Sequence, residues 1–376
     1  MEHKSISRGK PTPMETDERY QLLAKVSSAF SPSAPINSAD LFAGRTKQVE
    51  QATTALFQRG QHVILFGERG VGKTSLANTL YDLLYSALAA NDVRLARFNC
   101  SAETRFGDLW RGILREIELQ ENQHATGFSH ELTVRARRLD TFLPPEIGPE
   151  DVRFVLERVP FTTILVIDEV DRINDKATTV LLADTIKSLS DHSVDTTIIL
   201  VGVADSVDQI ITEHRSIERA LVQIQMPRMS LVELFEIVDK GLKRAEMTIA
   251  PEAREEVAKL SQGLPHYTHS LTLYAARGAI SDGRIHIEFE DVDAAIKTAV
   301  GGAQHSLVSA HHRAISSPRE NLYQQVLLAC ALARTDELGY FAAVDVREPM
   351  GRIMGKHYDI PAFSRHLNDF WTEPLT

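Results

Sequence analysis

Gly67-Glu68-Arg69-Gly70-Val71-Gly72-Lys73-Thr74 fills every fixed position of the pattern G-x-x-x-x-G-K-[ST], and Ser75 follows it directly. Glycine at 67, 70 and 72 lets the backbone curl until successive N–H groups converge, an arrangement suited to the oxygens of a triphosphate. Glu68, Arg69 and Val71 occupy the variable positions of the same turn. Lys73 is placed to reach the outer phosphates, and the Thr74 hydroxyl to hold Mg²⁺. Upstream, His62-Val-Ile-Leu-Phe66 is an apolar run of strand length; downstream, Thr74 to Tyr85 carries a helical pattern. Strand, glycine-rich turn and helix in that order aim a helix N-terminus at the phosphates. The stretch predicts a nucleoside triphosphate site on an open, doubly wound α/β sheet.

Hydrolysis needs a second set of groups, and Thr162-Thr-Ile-Leu-Val-Ile-Asp168-Glu169 supplies them. Ile164 to Ile167 form an unbroken apolar run, as expected of a central parallel strand buried on both faces. Asp168 then falls at the carboxyl end of that strand, the edge where ligands sit in open α/β sheets, and its carboxylate suits a Mg²⁺ water shell. Glu169, beside it, is the natural general base for a water attacking the γ-phosphate.

The 376 residues are enough for two or three domains, and 43% hydrophobic with 24% charged residues is an ordinary globular balance. A net charge of −10 argues against a surface coated with non-specific nucleic-acid affinity, while leaving room for a local basic face. Cys100 and Cys330 are the two cysteines, too few for a disulfide framework or a zinc site, which points to a reduced cytoplasm, a prokaryotic cytosol. No apolar run approaches the ~20 residues of a membrane span, so no membrane role is expected. Residues 1–40, charged and rich in Ser, Pro and Ala toward Ser38, are expected to be a poorly ordered arm and not a secretory signal.

Between Leu41 and Met229 short apolar runs alternate with helical patterns, with strands expected at 62–66, 94–99, 162–167, 197–203 and 220–225. The long gap between the second and third strands is expected to hold at least three amphipathic helices. Residues 230–304 then show four helical segments, Leu231–Ala245, Pro251–Ser261, Pro265–Ile280 and Phe289–Val300, forming a separate helical domain. Pro251 and Pro265 sit at helix starts and Gly263 and Gly283 at stops. Residues 305–317 are expected to be a linker, with His305, His311 and His312 solvated in it. Residues 318–376 open with an apolar helix from Leu322, continue with a short helix over Ala342–Arg347, and close with one over Pro361–Trp371. That spacing is either a winged-helix-like module, its wing truncated or never there, or a small helical interaction domain; Ser364, Arg365 and Asn368 are the groups it would offer to phosphates or bases.

The ordered set of phosphate loop, Asp-Glu strand end, helical lid and terminal winged helix resembles the AAA+ ATPases of the origin-recognition and initiator clade, with prokaryotic ATPases of the STAND type as near relatives. The resemblance covers about residues 40–370. It implies an AAA+ core at 41–229, a lid at 230–304 and a winged-helix-like domain after the linker, with ATP and Mg²⁺ as cofactors. Phe42-Ala43-Gly44-Arg45 looks like the family's F-x-G-R box, which lines the adenine pocket; the same residues also fit the turn before a helix at Thr46. Asp205 and Ser206 fall where the family keeps a polar first sensor. Arg219, or else Arg215, stands where an arginine finger enters a neighbouring subunit's site, which implies self-association. Gly263-Leu264-Pro265-His266 resembles the second-sensor motif, with histidine where many members keep arginine; His266 either meets a phosphate or packs in the lid. The implied function is an ATP-driven switch that engages double-stranded DNA. A signalling or defence scaffold whose C-terminal helices hold a partner protein is the alternative, and a transposition-targeting ATPase is a third reading with the same core chemistry.

Overall fold

The computed structural model describes residues 16–32, 35, 40–87, 93–124, 132–203, 215–301, 305–315, 322–336 and 340–372. In chain order the first half runs α1 (Thr16–Ala29), α2 (Thr46–Leu56), β1 (His62–Phe66), α3 (Lys73–Ala87), β2 (Val93–Asn99), α4 (Phe106–Arg115), β3 (Glu118–His124), β4 (Leu132–Arg138), α5 (Pro149–Glu157), β5 (Thr162–Asp168), α6 (Lys176–Asp191), β6 (Thr196–Gly202) and β7 (Leu221–Gln225). After it come α7 (Leu231–Ala245), β8 (Thr248–Ile249), α8 (Pro251–Ser261), α9 (Pro265–Ser281), β9 (His286–Ile287), α10 (Phe289–Gly301), α11 (His305–Ile315), α12 (Tyr323–Ala331), α13 (Ala343–Met354) and α14 (Ser364–Thr372).

The five parallel strands lie in the order β2-β5-β6-β1-β7. Every residue of β6 is buried, as an apolar strand in the middle of a two-sided sheet must be. β5 buries Ile164, Leu165, Val166 and Ile167, each contributing roughly 1.5–3 kcal/mol by leaving water. Because β1 and β5 both flank β6 in parallel, the loop after Phe66 and the carboxylate of Asp168 emerge on one sheet edge, separated by a single strand. α4 buries Phe106, Leu109, Trp110, Ile113 and Leu114, the i, i+3, i+4, i+7, i+8 stripe of a helix packed on a sheet.

By its contacts the chain divides into two compact units. One comprises Ser27–Ala245 with Ala258–His269 and holds the sheet; the other takes in the described residues of Met1–Val26, Glu246–Val257 and Ser270–Thr376. The lid expected over 230–304 is therefore shared between the two units. In the second unit, α12, α13 and α14 close around Val326, Ala329, Val346, Met350 and Phe363.

Four expectations change. The arm expected over 1–40 contains α1, whose Leu22, Val26 and Ala29 are buried at helical spacing, a stripe that the flanking Ser and Pro residues masked. The gap between β2 and β5 holds α4 and α5, with the antiparallel pair β3–β4 where a further helix was expected. There Glu118 faces Arg138, a cross-strand match that exists only once the strands meet. Of the linker expected at 305–317, the described residues 305–315 form the helix α11, with His311 and His312 exposed on it. α13 continues through Pro349 to Met354, because Pro349 and Met350 are buried and their packing offsets the backbone hydrogen bond that proline removes.

Candidate nucleotide site

The loop's geometry follows from its glycines. Gly67 has φ 151°, and a Cβ there would stand 2.3 Å from the carbonyl oxygen of Met226, so no other residue fits. Gly72 has φ 95°, just before α3 begins at Lys73. Lys73 Nζ donates to the carbonyls of Gly67 and Glu68, each at 2.9 Å, and so sits inside the curl of the loop. Burial pulls its pKa below the usual lysine value, while Asp171 and Asp168 push the other way.

Across from the loop, Thr74 Oγ1 donates to Asp168 Oδ2 at 2.7 Å, and Asp168 Oδ1 accepts the backbone N–H of Glu169 at 2.8 Å. One hydroxyl beside one carboxylate, open toward the phosphate loop, is the sparse oxygen donor set that suits Mg²⁺ retaining most of its waters. Glu169 adopts a left-handed conformation, φ 56° and ψ 40°, which turns its half-exposed carboxylate away from the strand and onto Arg172 Nη1 at 2.7 Å. Arg69 reaches Asp171 at 3.7 Å, and Ser75 is half-buried on the first turn of α3.

The other expected residues divide. Phe42 lines the cleft of about 280 Å³ that also takes in Gly70 to Ser75, Pro265 and His266. Arg45 lines it too, but its side chain is 2% exposed and Nη2 donates to the carbonyls of Val71 and Pro227. It braces the loop from behind, while its left-handed backbone N–H is held by Glu233 at 2.9 Å. His266 Nδ1 meets the Pro32 carbonyl oxygen at 2.7 Å. Arg219 lies far from its own loop in the sheet plan. It precedes β7 in a 3-10 turn, Arg215–Ala220, on the opposite edge of the sheet, and its exposed guanidinium pairs with Asp191 at 2.9 Å. Asp205 and Ser206 lie outside the described residues, as does the side chain of Arg215.

Sequence reading missed three contributors. Arg228 grips Glu68 with both arms at 2.7 Å and donates from Nη1 to the Gln262 carbonyl at 3.2 Å, tying the phosphate loop to the turn before α9. Asn99 stands in register with Asp168 on the neighbouring strand, and with Arg97 it lines a second cleft that includes Thr74, Asp168 and Glu169. His269, one turn into α9, completes the wall of the first cleft. Only the order of the strands could have revealed Asn99, and no spacing in the chain announces Arg228.

Residues 56–211 match the AAA domain family. No curated protein sequence matches the chain. Among solved structures, the Aeropyrum pernix ORC2 protein is 14% identical with a TM-score of 0.56, over 91% of this chain and 88% of that one. A Walker-type ATPase of Pyrococcus abyssi is 17% identical with a TM-score of 0.55, over 90% and 92%. Drosophila ORC is 15% identical with a TM-score of 0.50, over 99% and 88%. Over residues 56–211 the chain is similar to the AAA domain family, and over 91% of its length it shares the fold of the Aeropyrum pernix ORC2 protein.

Proposed function

We propose that the protein is an ATP-binding and ATP-hydrolysing switch whose ATP state self-associates and engages double-stranded DNA through α12–α14. The observation that carries the reading is the 2.7 Å contact between Thr74 and Asp168, which joins the phosphate loop to the acidic strand end. Thr74 and Asp168 would hold a Mg²⁺ ion, which would supply charge neutralisation at the phosphates. Lys73 and the loop N–H groups hold the triphosphate in line. Glu169 leaves Arg172 and takes a proton from the attacking water as the new P–O bond forms and the bond to the bridging oxygen breaks, releasing ADP and phosphate.

Arg219 acts in this scheme as the finger in trans. It is exposed on the edge away from its own loop, so a site it completes belongs to another copy. For DNA, the support is α14, which exposes Arg365 and Asn368, together with the shared fold of Drosophila ORC, solved bound to DNA. A reduced cytosolic setting goes with the two free cysteines, and no helix among the described residues is long and apolar enough to cross a membrane.

The deciding experiment is steady-state phosphate release against protein concentration, with and without duplex DNA, for the wild type and Arg219→Ala. Specific activity that climbs with concentration, rises further with DNA and flattens in Arg219→Ala supports the switch. A rate indifferent to concentration and DNA favours a scaffold that binds a partner protein. A salt titration separates the two again, since phosphate contacts give a steep slope.

A further inference from the structure

The nucleotide chemistry leaves unused a cleft of about 490 Å³ in the same core. One wall is a stripe of α5, Asp151, Phe154, Val155 and Arg158, at the i, i+3, i+4, i+7 spacing that a helix turns toward a neighbour. The other is Leu119 of β3 with Phe142 of the 3-10 turn Leu139–Phe142. Val155 is buried, yet Phe154 is 46% exposed and Phe142 38%. Two phenylalanines held open around one apolar cleft form the kind of surface that marks a docking site, because the water over it is released when a partner covers it.

The charges around the cleft say what kind of partner fits. The Arg137 guanidinium lies 4.0 Å from the centre of the Phe142 ring, and that of Arg158 lies 5.9 Å from the centre of the Phe154 ring. Neither meets a carboxylate among the described residues; Arg137 Nε donates to Thr141 Oγ1 at 3.1 Å. Arg153, 4.3 Å from the Phe154 ring centre, is neutralised by Glu150 and Glu157. Asp151 Oδ2 accepts the Gly148 N–H at 2.8 Å. The rim therefore sets two cations against one engaged carboxylate, on a chain whose net charge is −10. Such a local reversal of sign draws an acidic partner to this place and repels it elsewhere. A nucleic acid would need a cationic track along its backbone, and two cations beside an aliphatic and aromatic slot do not make one.

We propose that this cleft docks a short acidic segment of a partner protein. Its apolar side chains lie against Leu119, Phe142 and Phe154, and its Asp or Glu carboxylates pair with Arg137 and Arg158. The assignment stands apart from the nucleotide reading, since the cleft shares no residue with the phosphate loop or the acidic strand end.

The test begins with a displayed library of short random peptides, panned against the full chain with Phe154→Ala as the counter-target. Enriched sequences should combine Leu, Ile or Phe with Asp or Glu. The best of them, labelled for fluorescence anisotropy, should bind Phe154→Ala and Phe142→Ala about tenfold or more weakly than the wild type, as expected when an interface anchor is removed. Arg158→Glu should also weaken it, and should prefer a version of the peptide with Lys in place of its acidic residues. All three side chains are exposed, so the variants should keep the wild-type urea midpoint. No enrichment over Phe154→Ala, enrichment of basic peptides, or indifference of Arg158→Glu to the sign of the peptide overturns the proposal. Binding of a labelled oligo-dT that is lost in Phe142→Ala overturns it in favour of a nucleic acid. A concentration-dependent dimer in sedimentation, broken by Phe154→Ala, overturns it in favour of a second copy of the chain.

Discussion

Asp168 accepts two hydrogen bonds, one from Thr74 and one from the N–H of Glu169, and this pair of contacts fixes where its carboxylate points. Its neighbour is treated differently. Glu169 is swung out by a left-handed backbone and rests on Arg172, so the proposed base needs only a side-chain rotation to reach a water. Glu169→Gln keeps the shape and the hydrogen-bonding capacity but cannot take a proton. It should bind ATP with near wild-type affinity in calorimetry while phosphate release falls about 10²–10⁴-fold, the usual worth of a general base. Turnover at the wild-type rate would move the base elsewhere. At this scale the phosphate loop and Asp168 were legible in the sequence because their chemistry is fixed by residues adjacent in the chain. Arg45 was legible only as a member of the cleft. That its guanidinium would be spent on the Val71 and Pro227 carbonyls depends on a chain segment that returns to it from a distance.

The turn joining α8 to α9 shows how an element is held to the site. Met229 donates its N–H to the Gly263 carbonyl at 2.8 Å, and Arg228 reaches both Glu68 in the phosphate loop and Gln262 in the turn. Gly263 has φ 80°, and a Cβ there would lie 2.6 Å from the Arg228 Cβ and 3.0 Å from the Met229 carbonyl oxygen. Gly263→Ala should therefore cost about 1–3 kcal/mol in urea unfolding, from backbone strain and from the displaced Arg228 segment. It should also weaken ATP binding. Stability within a few tenths of a kcal/mol of the wild type would mean that the turn relaxes freely and does not brace the loop. The helices on either side, α7 to α10, were anticipated in the sequence nearly to the residue, because proline at their starts and glycine at their stops act locally. β3 and β4 were not, since a strand of mixed polarity declares itself only through its partner.

For the molecule as a whole, acid is the sharpest probe of the sheet. His62 opens β1 fully buried, its Nδ1 accepting the Ile198 N–H at 3.0 Å, and burial pulls its pKa down to about 4. A histidine whose folded pKa lies below its unfolded value of 6.5 is protonated first in the unfolded chain, so stability falls as pH drops through that window. The contribution approaches about 3 kcal/mol by pH 4. Urea midpoints measured between pH 7 and pH 4.5 should decline steadily, and His62→Asn should shallow the slope. An unchanged slope in that variant would assign the acid response to other groups.

The sequence alone determined the phosphate-loop pattern, the five parallel strands and most of the helices, since these rest on residues close together in the chain and on the periodicity of their own element. The tertiary structure decided the order β2-β5-β6-β1-β7, and with it that Asn99 stands beside Asp168. It also decided that α1 folds where an arm was expected, and that Arg228 and His269 belong to the cleft. Each of these depends on contacts between distant segments, and burial and pairing at such contacts arise only when the chain has closed on itself.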